Sequence, residues 1–255
     1  MQDNAKVQGG SEVLQPVGVD AERAKRLMAM GQMAASLAHE IRNPLGSMEL
    51  YCSLLKKDLH DRPDLFALAD QVHLGIKTLD RIIANCLQFS RGIEPKKEPV
   101  PSLLPVIESV AAMVRIKAEG VKIEIADFPA VPVCLDTYLF KQALCNLVLN
   151  GAEAAKDRAA VSGGDEPLVR ISCRIDDRGG IEIEVLDNGS GISASALKEI
   201  FEPFFTTKQG GTGLGMAVVH SIVSAHGGTV TVENRALAGP VSGVRAVMVI
   251  PAARQ

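Results

Sequence analysis

The residues most able to do chemistry near the start of the chain lie in SLAHEIRNPLG, residues 36–46, where Glu40 directly follows His39. A neutral imidazole keeps one nitrogen lone pair free, so His39 could act as a nucleophile or a ligand. The zinc-protease pattern HExxH is excluded, because Asn43 stands where its second histidine would be. On a helix Asn43 would share the face of His39. A solvated surface histidine without a chemical role remains the alternative for this stretch alone.

Two asparagines, Asn146 and Asn150, lie four residues apart in NLVLNGAEAA. This spacing predicts that both side chains point the same way from one helix. The side-chain oxygen of Asn150 can ligate a hard cation such as Mg²⁺. Taken alone, the pair is more simply interpreted as ordinary polar residues on a helix surface.

The stretch LDNGSGIS follows directly from an apolar run that is typical of a strand. Asp187 ends this run, with carboxylate oxygens that could accept a hydrogen bond from an exocyclic amine. Gly189 and Gly191 let the chain turn and approach a ligand closely. A simple turn after a strand is the alternative interpretation.

The stretch FEPFFTTKQGGTGLGMAVV is richer in ligand-binding groups. Hydroxyls and a cation come from Thr206, Thr207 and Lys208, and four glycines follow before a helical run. Main-chain N–H groups of a glycine-rich turn at a helix start form an anion site suited to a triphosphate. The pattern is not a Walker A loop, because no Gly-Lys-Ser/Thr ends it, and it is not a Rossmann fingerprint. The four glycines are Gly210, Gly211, Gly213 and Gly215.

Heptad patterns predict two helices that carry the first of these groups. Apolar residues recur every seven positions between residues 21 and 57, and again between 65 and 89. The first helix has Leu27, Ala34, Ile41, Met48 and Leu55 with Met30, Leu37, Pro44 and Tyr51; the second has Leu65, Val72, Leu79 and Cys86 with Leu68, Gly75, Ile82 and Phe89. A break around Pro63 makes the pair an antiparallel hairpin.

A lone hairpin has too little core, so we expect two chains to form a dimeric four-helix bundle. In this heptad His39 takes position f, the most exposed one. Pro44 removes a main-chain hydrogen bond to residue 40 and should loosen the helix just after His39.

The pattern of apolar and polar residues changes after a Pro- and Lys-rich linker. The runs 121–127, 168–175, 181–187, 228–234 and 244–251 resemble strands, and 102–119, 136–156 and 214–226 resemble helices. They predict a two-layer α/β sandwich with one mixed sheet and one helical layer. The fold class is therefore α+β, with a tail at 1–20, a hairpin at 21–91, a linker at 92–101 and the sandwich at 102–255.

Composition excludes several other classes of protein. The net charge of -3 favours neither nucleic acid nor an anionic membrane surface as a partner. No apolar run approaches the roughly 20 residues of a spanning helix, and the first residues do not resemble a signal peptide. The five cysteines are odd in number and lack CxxC spacing, so we interpret them as small apolar residues in a reducing cytoplasm.

Five motifs in this order resemble the catalytic core of sensor histidine kinases of two-component systems. The similarity covers about residues 25–255, with a hairpin like the HisKA dimerisation domain and a sandwich like the GHKL, or Bergerat, ATP-binding domain. The forms HEIRNPL and FEPFFTTK resemble the corresponding motifs of kinases that act on NtrC-like activators. The motifs are HEIRNPL (39–45), NLVLNGAEA (146–154), DNGSGI (187–192), FEPFFTTK (201–208) and GTGLGM (211–216).

The resemblance implies ATP and Mg²⁺ as cofactors, bound between the sheet and a lid at 206–213. His39 would attack the γ-phosphorus with Glu40 as its base, and Asn43 could orient water for phosphatase activity. Asp187 would bind the adenine amine, Asn150 the Mg²⁺, and Lys208 the phosphates. The implied nucleotide site is Asn146, Asn150, Asp187, Gly189, Gly191, Thr206, Thr207, Lys208, Gly210, Gly211, Thr212, Gly213, Leu214 and Gly215.

The chain departs from the family pattern at three places. Glu153 stands where many of these kinases have a lysine, Gly151 replaces an alanine, and Val244 replaces a threonine after Gly243. These departures put one phosphate contact and one adenine contact in doubt.

The resemblance also implies the partners. They are a second copy of the chain and the receiver domain of a response regulator in the cytoplasm. With only about 25 residues before the hairpin, we expect an excised core or a sensor protein that acts in trans. Two alternatives remain: an ATPase that moves a clamp or chaperone, against which Asn146 replaces the glutamate that activates water, and a non-catalytic scaffold or phosphatase.

Overall fold

The computed structural model describes residues 41–91, 93–126, 128–129, 132–163, 166–175, 180–208, 211–235 and 243–251. Over these residues a helical hairpin precedes a two-layer sandwich, which confirms the predicted fold class. His39, Glu40, Gly210 and the heptad positions before residue 41 lie outside the described residues. No helix within the described ranges combines the length and apolar character needed to cross a membrane.

The elements agree with most of the predicted runs. The helices are α1 (41–58), α2 (Pro63–Arg91), α3 (Leu104–Lys117), α4 (Thr137–Ser162), α5 (Ala194–Glu199) and α6 (Gly215–Ala225). The strands are β1 (Glu98–Val100), β2 (Lys122–Ile125), β3 (Val133–Leu135), β4 (Leu168–Ile175), β5 (Ile181–Asp187), β6 (Thr229–Asn234) and β7 (Val244–Ile250).

The hairpin of α1 and α2 closes along a seam that the heptad assignment did not identify. Its buried residues are Leu45, Cys52, Ala69 and Ile76, and each lies one position beyond the predicted d series. The Cys52 thiol donates to the Ala69 carbonyl across the seam at 3.0 Å. Both helices therefore have an apolar face wider than a two-stranded seam needs.

The predicted seam side chains are instead exposed in the single chain. Ile41, Met48 and Tyr51 of α1 are 44%, 53% and 65% exposed, and Leu68 and Val72 of α2 are 64% and 59% exposed. These side chains form a continuous apolar stripe, because heptad positions a and d adjoin on a helix surface.

The main sheet has the strand order β2-β4-β5-β7-β6. The β2–β4 pair is parallel and the other neighbours are antiparallel, so the predicted mixed sheet is confirmed. Burial alternates strictly along β5, which presents every second side chain to the helices. The short strands β1 and β3 pair separately and were not predicted, because three residues are too few to show a period of two.

The helical layer packs α3, α4 and α6 on one face of this sheet. Its core includes Ile107, Leu144 and Ile222 from the helices and Ile171 and Met248 from the strands, all almost fully buried. Burial of such apolar side chains contributes most of the stabilisation of a domain of this kind.

The ends of α4 follow from its capping residues. The Asp136 side chain accepts a hydrogen bond from the Leu139 N–H, and Gly163 ends the helix with a φ of 69°. The helix is longer than predicted, because helix-forming residues continue up to Gly163. Helix α5 was not predicted, since only its Ser193 cap marks six residues as a helix.

Candidate functional site

Asp187 ends β5 and lies almost buried, with 8% of its surface exposed. Its Oδ1 accepts hydrogen bonds from the N–H of Gly189 at 2.8 Å and of Val244 at 3.1 Å. Burial raises the pKa of the Asp187 carboxyl, and the two N–H donors and the Lys208 charge oppose this rise. Oδ1 is thus fully engaged by the protein, whereas no described residue hydrogen-bonds Oδ2.

The main chain at the start of β7 lies in close contact with Asp187. A Cβ added at Gly243 would lie 1.9 Å from the Asp187 carbonyl oxygen, and the Gly243 φ is 107°. Only glycine fits this approach and this dihedral angle. The following Val244 donates its main-chain N–H to the Asp187 carboxylate. Residue type does not predict this role, because every residue except proline offers a main-chain N–H donor.

Two further glycines bring α4 against the same carboxylate. A Cβ at Gly151 would lie 3.2 Å from the Asp187 Cβ, and one at Gly189 would lie 2.8 Å from the Ala154 Cβ. The departure from the family alanine at residue 151 therefore has a packing reason, because even a methyl group would be crowded. Gly191 continues the turn with a φ of 80°.

The two predicted asparagines of α4 lie together, facing the start of α6. The Asn146 Nδ2 donates to the Gly215 carbonyl at 3.4 Å. A Cβ added at Gly215 would lie 3.9 Å from the Asn150 Nδ2. The helix spacing predicted from sequence therefore places both amides at the entrance to the glycine-rich turn.

Lys208 reaches from the lid segment to α4. Its Nζ donates to the Asn150 Oδ1 at 3.4 Å and to the Glu153 Oε2 at 2.5 Å. One cation is thus held by an amide oxygen and a carboxylate oxygen on one helix face. These are the oxygen donors that Mg²⁺ prefers, so the residues present fit a hard cation beside Asn150.

The lid segment is folded by its own hydrogen bonds. Thr206 Oγ1 accepts from the Lys208 N–H at 3.1 Å, and the Gly211 N–H donates to the Lys208 carbonyl at 3.2 Å. A Cβ at Gly213 would lie 2.3 Å from the Phe204 main chain, and the Gly213 φ is 65°. The turn into α6 is therefore tight enough to require glycine at residue 213.

Helix α6 begins at Gly215 without a side-chain cap, and its N-cap residue Leu214 is buried. The first N–H groups of a helix have no partner within the helix and carry positive partial charge. Thr212 supports the entry, because its Oγ1 accepts from the Leu214 N–H at 3.5 Å. Together with Lys208, this end of α6 suits an anionic ligand.

The structure thus brings together nearly all of the predicted nucleotide-site residues. Asp187, the α4 amides, Lys208 and the turn from Gly211 to Gly215 surround one region at the edge of the sheet. Thr207 is exposed beside Lys208. Asn43 lies apart from this site, exposed on α1 of the hairpin.

Two protein families match the chain. Residues 29–95 match the His Kinase A (phospho-acceptor) domain. Residues 135–254 match the histidine kinase-, DNA gyrase B- and HSP90-like ATPases. The two matches fall on the hairpin and on the sandwich.

Curated relatives show similarity over most of the chain. The histidine-protein kinase AtoS of Escherichia coli (strain K12) is 32% identical over 83% of this chain and 34% of its own length. The sensor histidine kinase ZraS of Klebsiella oxytoca is 33% identical over 83% of this chain and 45% of its own length. The chain spans less than half the length of these relatives.

Solved structures show the same architecture. Full-length ShkA, in a crystal structure with AMPPNP, matches with a TM-score of 0.71 over 89% of this chain and 47% of that chain, at 24% identity. The catalytic domain of the histidine kinase ThkA matches with a TM-score of 0.51 over 62% of this chain and 96% of its own, at 29% identity.

Proposed function

Because the chain belongs to the sensor histidine kinases of two-component systems, we propose that it uses ATP to phosphorylate its own His39 and passes the phosphoryl group to an aspartate of a response regulator. The observation that carries this proposal is the arrangement around Asp187. A buried carboxylate, two amides, a lysine and an uncapped helix start surround one region between α4 and the lid.

The adenine end of the nucleotide is recognised by Asp187. Since Oδ1 already accepts from Gly189 and Val244, Oδ2 is the atom left to accept from the exocyclic amine. Guanine carries a carbonyl oxygen at that position, which a carboxylate would repel. The site therefore selects adenine by the direction of one hydrogen bond.

The phosphate end lies against α6 and Lys208. The uncapped N–H groups at Gly215 and the Lys208 ammonium attract the phosphate oxygens. Asn150 would ligate Mg²⁺, while the Glu153 carboxylate pairs with the Lys208 ammonium. When bound, Mg²⁺ supplies positive charge that offsets the negative charge of the phosphates. Asn146 holds the Gly215 carbonyl and so fixes the start of α6.

The transfer step uses the residues just before the described part of α1. One ring nitrogen of His39 forms a bond to the γ-phosphorus, while the bond from this phosphorus to the β-phosphate oxygen breaks and ADP leaves. Glu40 takes the proton from the other ring nitrogen. Phosphoryl transfer then depends mainly on how the two domains are positioned.

The same hairpin provides the partner surfaces. The exposed apolar stripe of α1 and α2 would be buried in a homodimeric bundle. A receiver domain would dock near His39, in the cytoplasm, where ATP is supplied. The similarity of HEIRNPL and FEPFFTTK to the motifs of kinases that act on NtrC-like activators supports such an activator as the protein that carries this receiver domain.

A second activity is favoured by the position of Asn43. This amide is exposed on α1, four residues from His39, where it can face a docked receiver. We expect it to orient water against the phosphorylated aspartate, which would make the protein a phosphatase as well. A clamp or chaperone ATPase is disfavoured, because Asn146 has no basic group to activate water and donates to Gly215 instead.

The test is incubation with γ-labelled ATP and Mg²⁺, followed by acid and alkali treatment. We expect label on the wild type that is lost in acid and kept in alkali, which identifies phosphohistidine. His39→Gln should take no label, whereas His60→Gln, which changes an exposed histidine at the hairpin turn, should label normally. Nucleotide binding without any label on the wild type would refute the kinase and leave the scaffold or phosphatase.

A further inference from the structure

The segment predicted as a linker is docked on the sandwich. Its strand β1 pairs with β3 at three positions, from Glu98 opposite Leu135 to Val100 opposite Val133. Ile93 and Val100 also pack against the main core. The chain between the hairpin and the nucleotide site is therefore held along most of its length.

Asp136 is the hydrogen-bonding centre of this attachment. Its Oδ1 accepts from the Leu139 N–H at 3.0 Å, which caps α4. Its Oδ2 accepts from the Lys96 N–H of the linker, also at 3.0 Å. Its own N–H donates to the His226 Nε2 at 3.0 Å. One residue thus binds the start of α4, the linker and the end of α6.

His226 forms the other half of this attachment and is only 3% exposed. Its Nδ1 lies 2.8 Å from the Ile222 carbonyl and must donate to it, because Nε2 accepts from Asp136. The imidazole is therefore neutral, with its hydrogen on Nδ1. The His226 carbonyl accepts from the Lys97 Nζ at 3.2 Å. This cation lies at the C-terminal end of α6, where the helix dipole favours it.

Both helices that leave this attachment lead to the nucleotide site. Asn146 and Asn150 lie on α4, ten and fourteen residues beyond Asp136. Helix α6 starts at Gly215 in the site and ends just before His226. At 1.5 Å per residue the attachment lies about 15 Å from the site, at the far end of two rigid helices. Helix α6 also contacts α2 of the hairpin.

We propose that Asp136 and His226 are positioning residues for the phosphorylation of His39. With Lys97 they form a clamp, hereafter the linker clamp, that fixes the linker to both nucleotide-bearing helices. The clamp sets the orientation in which the γ-phosphate is presented to the hairpin, without touching the nucleotide. This inference rests on the proposed function and names residues that regulate it.

The experiment uses the full chain and variants that keep the fold. Asp136→Ser retains a capping oxygen for α4 but cannot reach the Lys96 N–H. Lys97→Met removes the cation from the end of α6. Lys156→Met is the matched control, because the Lys156 Nζ also donates to a main-chain carbonyl, that of Glu119, at 3.2 Å and lies outside the clamp.

We expect the labelling rate of His39 at saturating ATP to fall about ten-fold in Asp136→Ser and Lys97→Met. A small misplacement of reacting groups is enough for such a loss. The affinity for a fluorescent ATP analogue should stay within about two-fold, and Lys156→Met should match the wild type in both measurements.

Two outcomes would overturn the linker clamp. In the first, both clamp variants label at the wild-type rate. In the second, their labelling and nucleotide affinity fall in parallel, which would mean that the residues only stabilise the domain. Absence of label on the wild type itself would instead count against the proposed function, so the two failures can be told apart.

Discussion

Asp187→Asn changes one atom of the proposed adenine site and little else. The asparagine Oδ1 can still accept from the Gly189 and Val244 N–H groups, so the turn and the start of β7 should be kept. The new Nδ2 replaces Oδ2 and places a donor opposite the donating amine of adenine. The substitution therefore reverses one hydrogen bond without removing volume.

The expected loss follows from two contributions. A hydrogen bond to a charged group is worth about 1.5–3 kcal/mol, and an unpaired buried donor costs about 1–3 kcal/mol. Together they predict a loss of about 2.5–6 kcal/mol, or roughly 10²- to 10⁴-fold in Kd for ATP.

The fold should not lose stability at neutral pH. Since burial raises the pKa of Asp187 in the folded protein, the folded state holds this proton more tightly than the unfolded chain does. The carboxyl therefore favours folding in acid, and that contribution is lost as the pH rises through its folded pKa. Asp187→Asn should have an equal or higher free energy of unfolding at pH 7 and lose this pH dependence.

The assay is displacement of a fluorescent ATP analogue by ATP and by inosine triphosphate, which has a carbonyl oxygen in place of the amine. The variant should prefer inosine triphosphate, whereas the wild type should prefer ATP. Asp157→Asn, at an exposed carboxyl of helix α4, is the control and should behave as wild type. ATP binding by Asp187→Asn within three-fold of the wild type would show that the carboxylate does not recognise the base.

Three more measurements test other parts of the site and core. Gly213→Ala should weaken nucleotide binding more than ten-fold, because its Cβ would lie 2.3 Å from the main chain of Phe204. Gly163→Ala is the control, because Gly163 has a similar φ but lies in open space. It should keep the nucleotide affinity and lose only about 1–2 kcal/mol of unfolding free energy. Lys208→Met should weaken the binding of the ATP analogue. Glu153→Gln removes the carboxylate that pairs with Lys208, so it should leave the affinity for the analogue unchanged or higher. Weaker binding by Glu153→Gln would show that the Glu153 carboxylate ligates the metal instead. Burial, together with the nearby Glu182 charge, raises the pKa of Cys173 to about 11. Iodoacetamide at pH 8 should therefore modify this thiol only after the protein unfolds. Fast modification of Cys173 in the native protein would contradict its burial.

The local patterns of the sequence were sufficient for much of the fold and site. The alternation along β5 and the spacing of Asn146 and Asn150 are short-range signals, and the structure places both as the sequence predicts. The glycine-rich turn also follows from local rules, because tight main-chain approach requires glycine wherever it occurs. Order among motifs then restricted the interpretation to one family.

The remaining features depend on contacts between distant parts of the chain. Val244 donates its main-chain N–H to Asp187 across 57 positions, and any residue except proline could do so. His226 reads as a helix-end residue, yet its ring is buried against Asp136, 90 positions away. The buried seam of the hairpin depends on how far each apolar face extends around its helix, which heptad spacing alone does not determine.

The order of the strands has a consequence for biosynthesis. Of the seven strands that the structure describes, β7 is the last to be translated, yet it lies between β5 and β6 in the sheet. Until it leaves the ribosome, β6 has no neighbour to pair with, and the carboxylate that ends β5 lacks one of its two N–H donors. Domains fold during synthesis as units, so we expect the nascent chain to have no adenine specificity before residues 243–250 emerge. Base recognition is therefore acquired only when β7 is added to the sheet between β5 and β6.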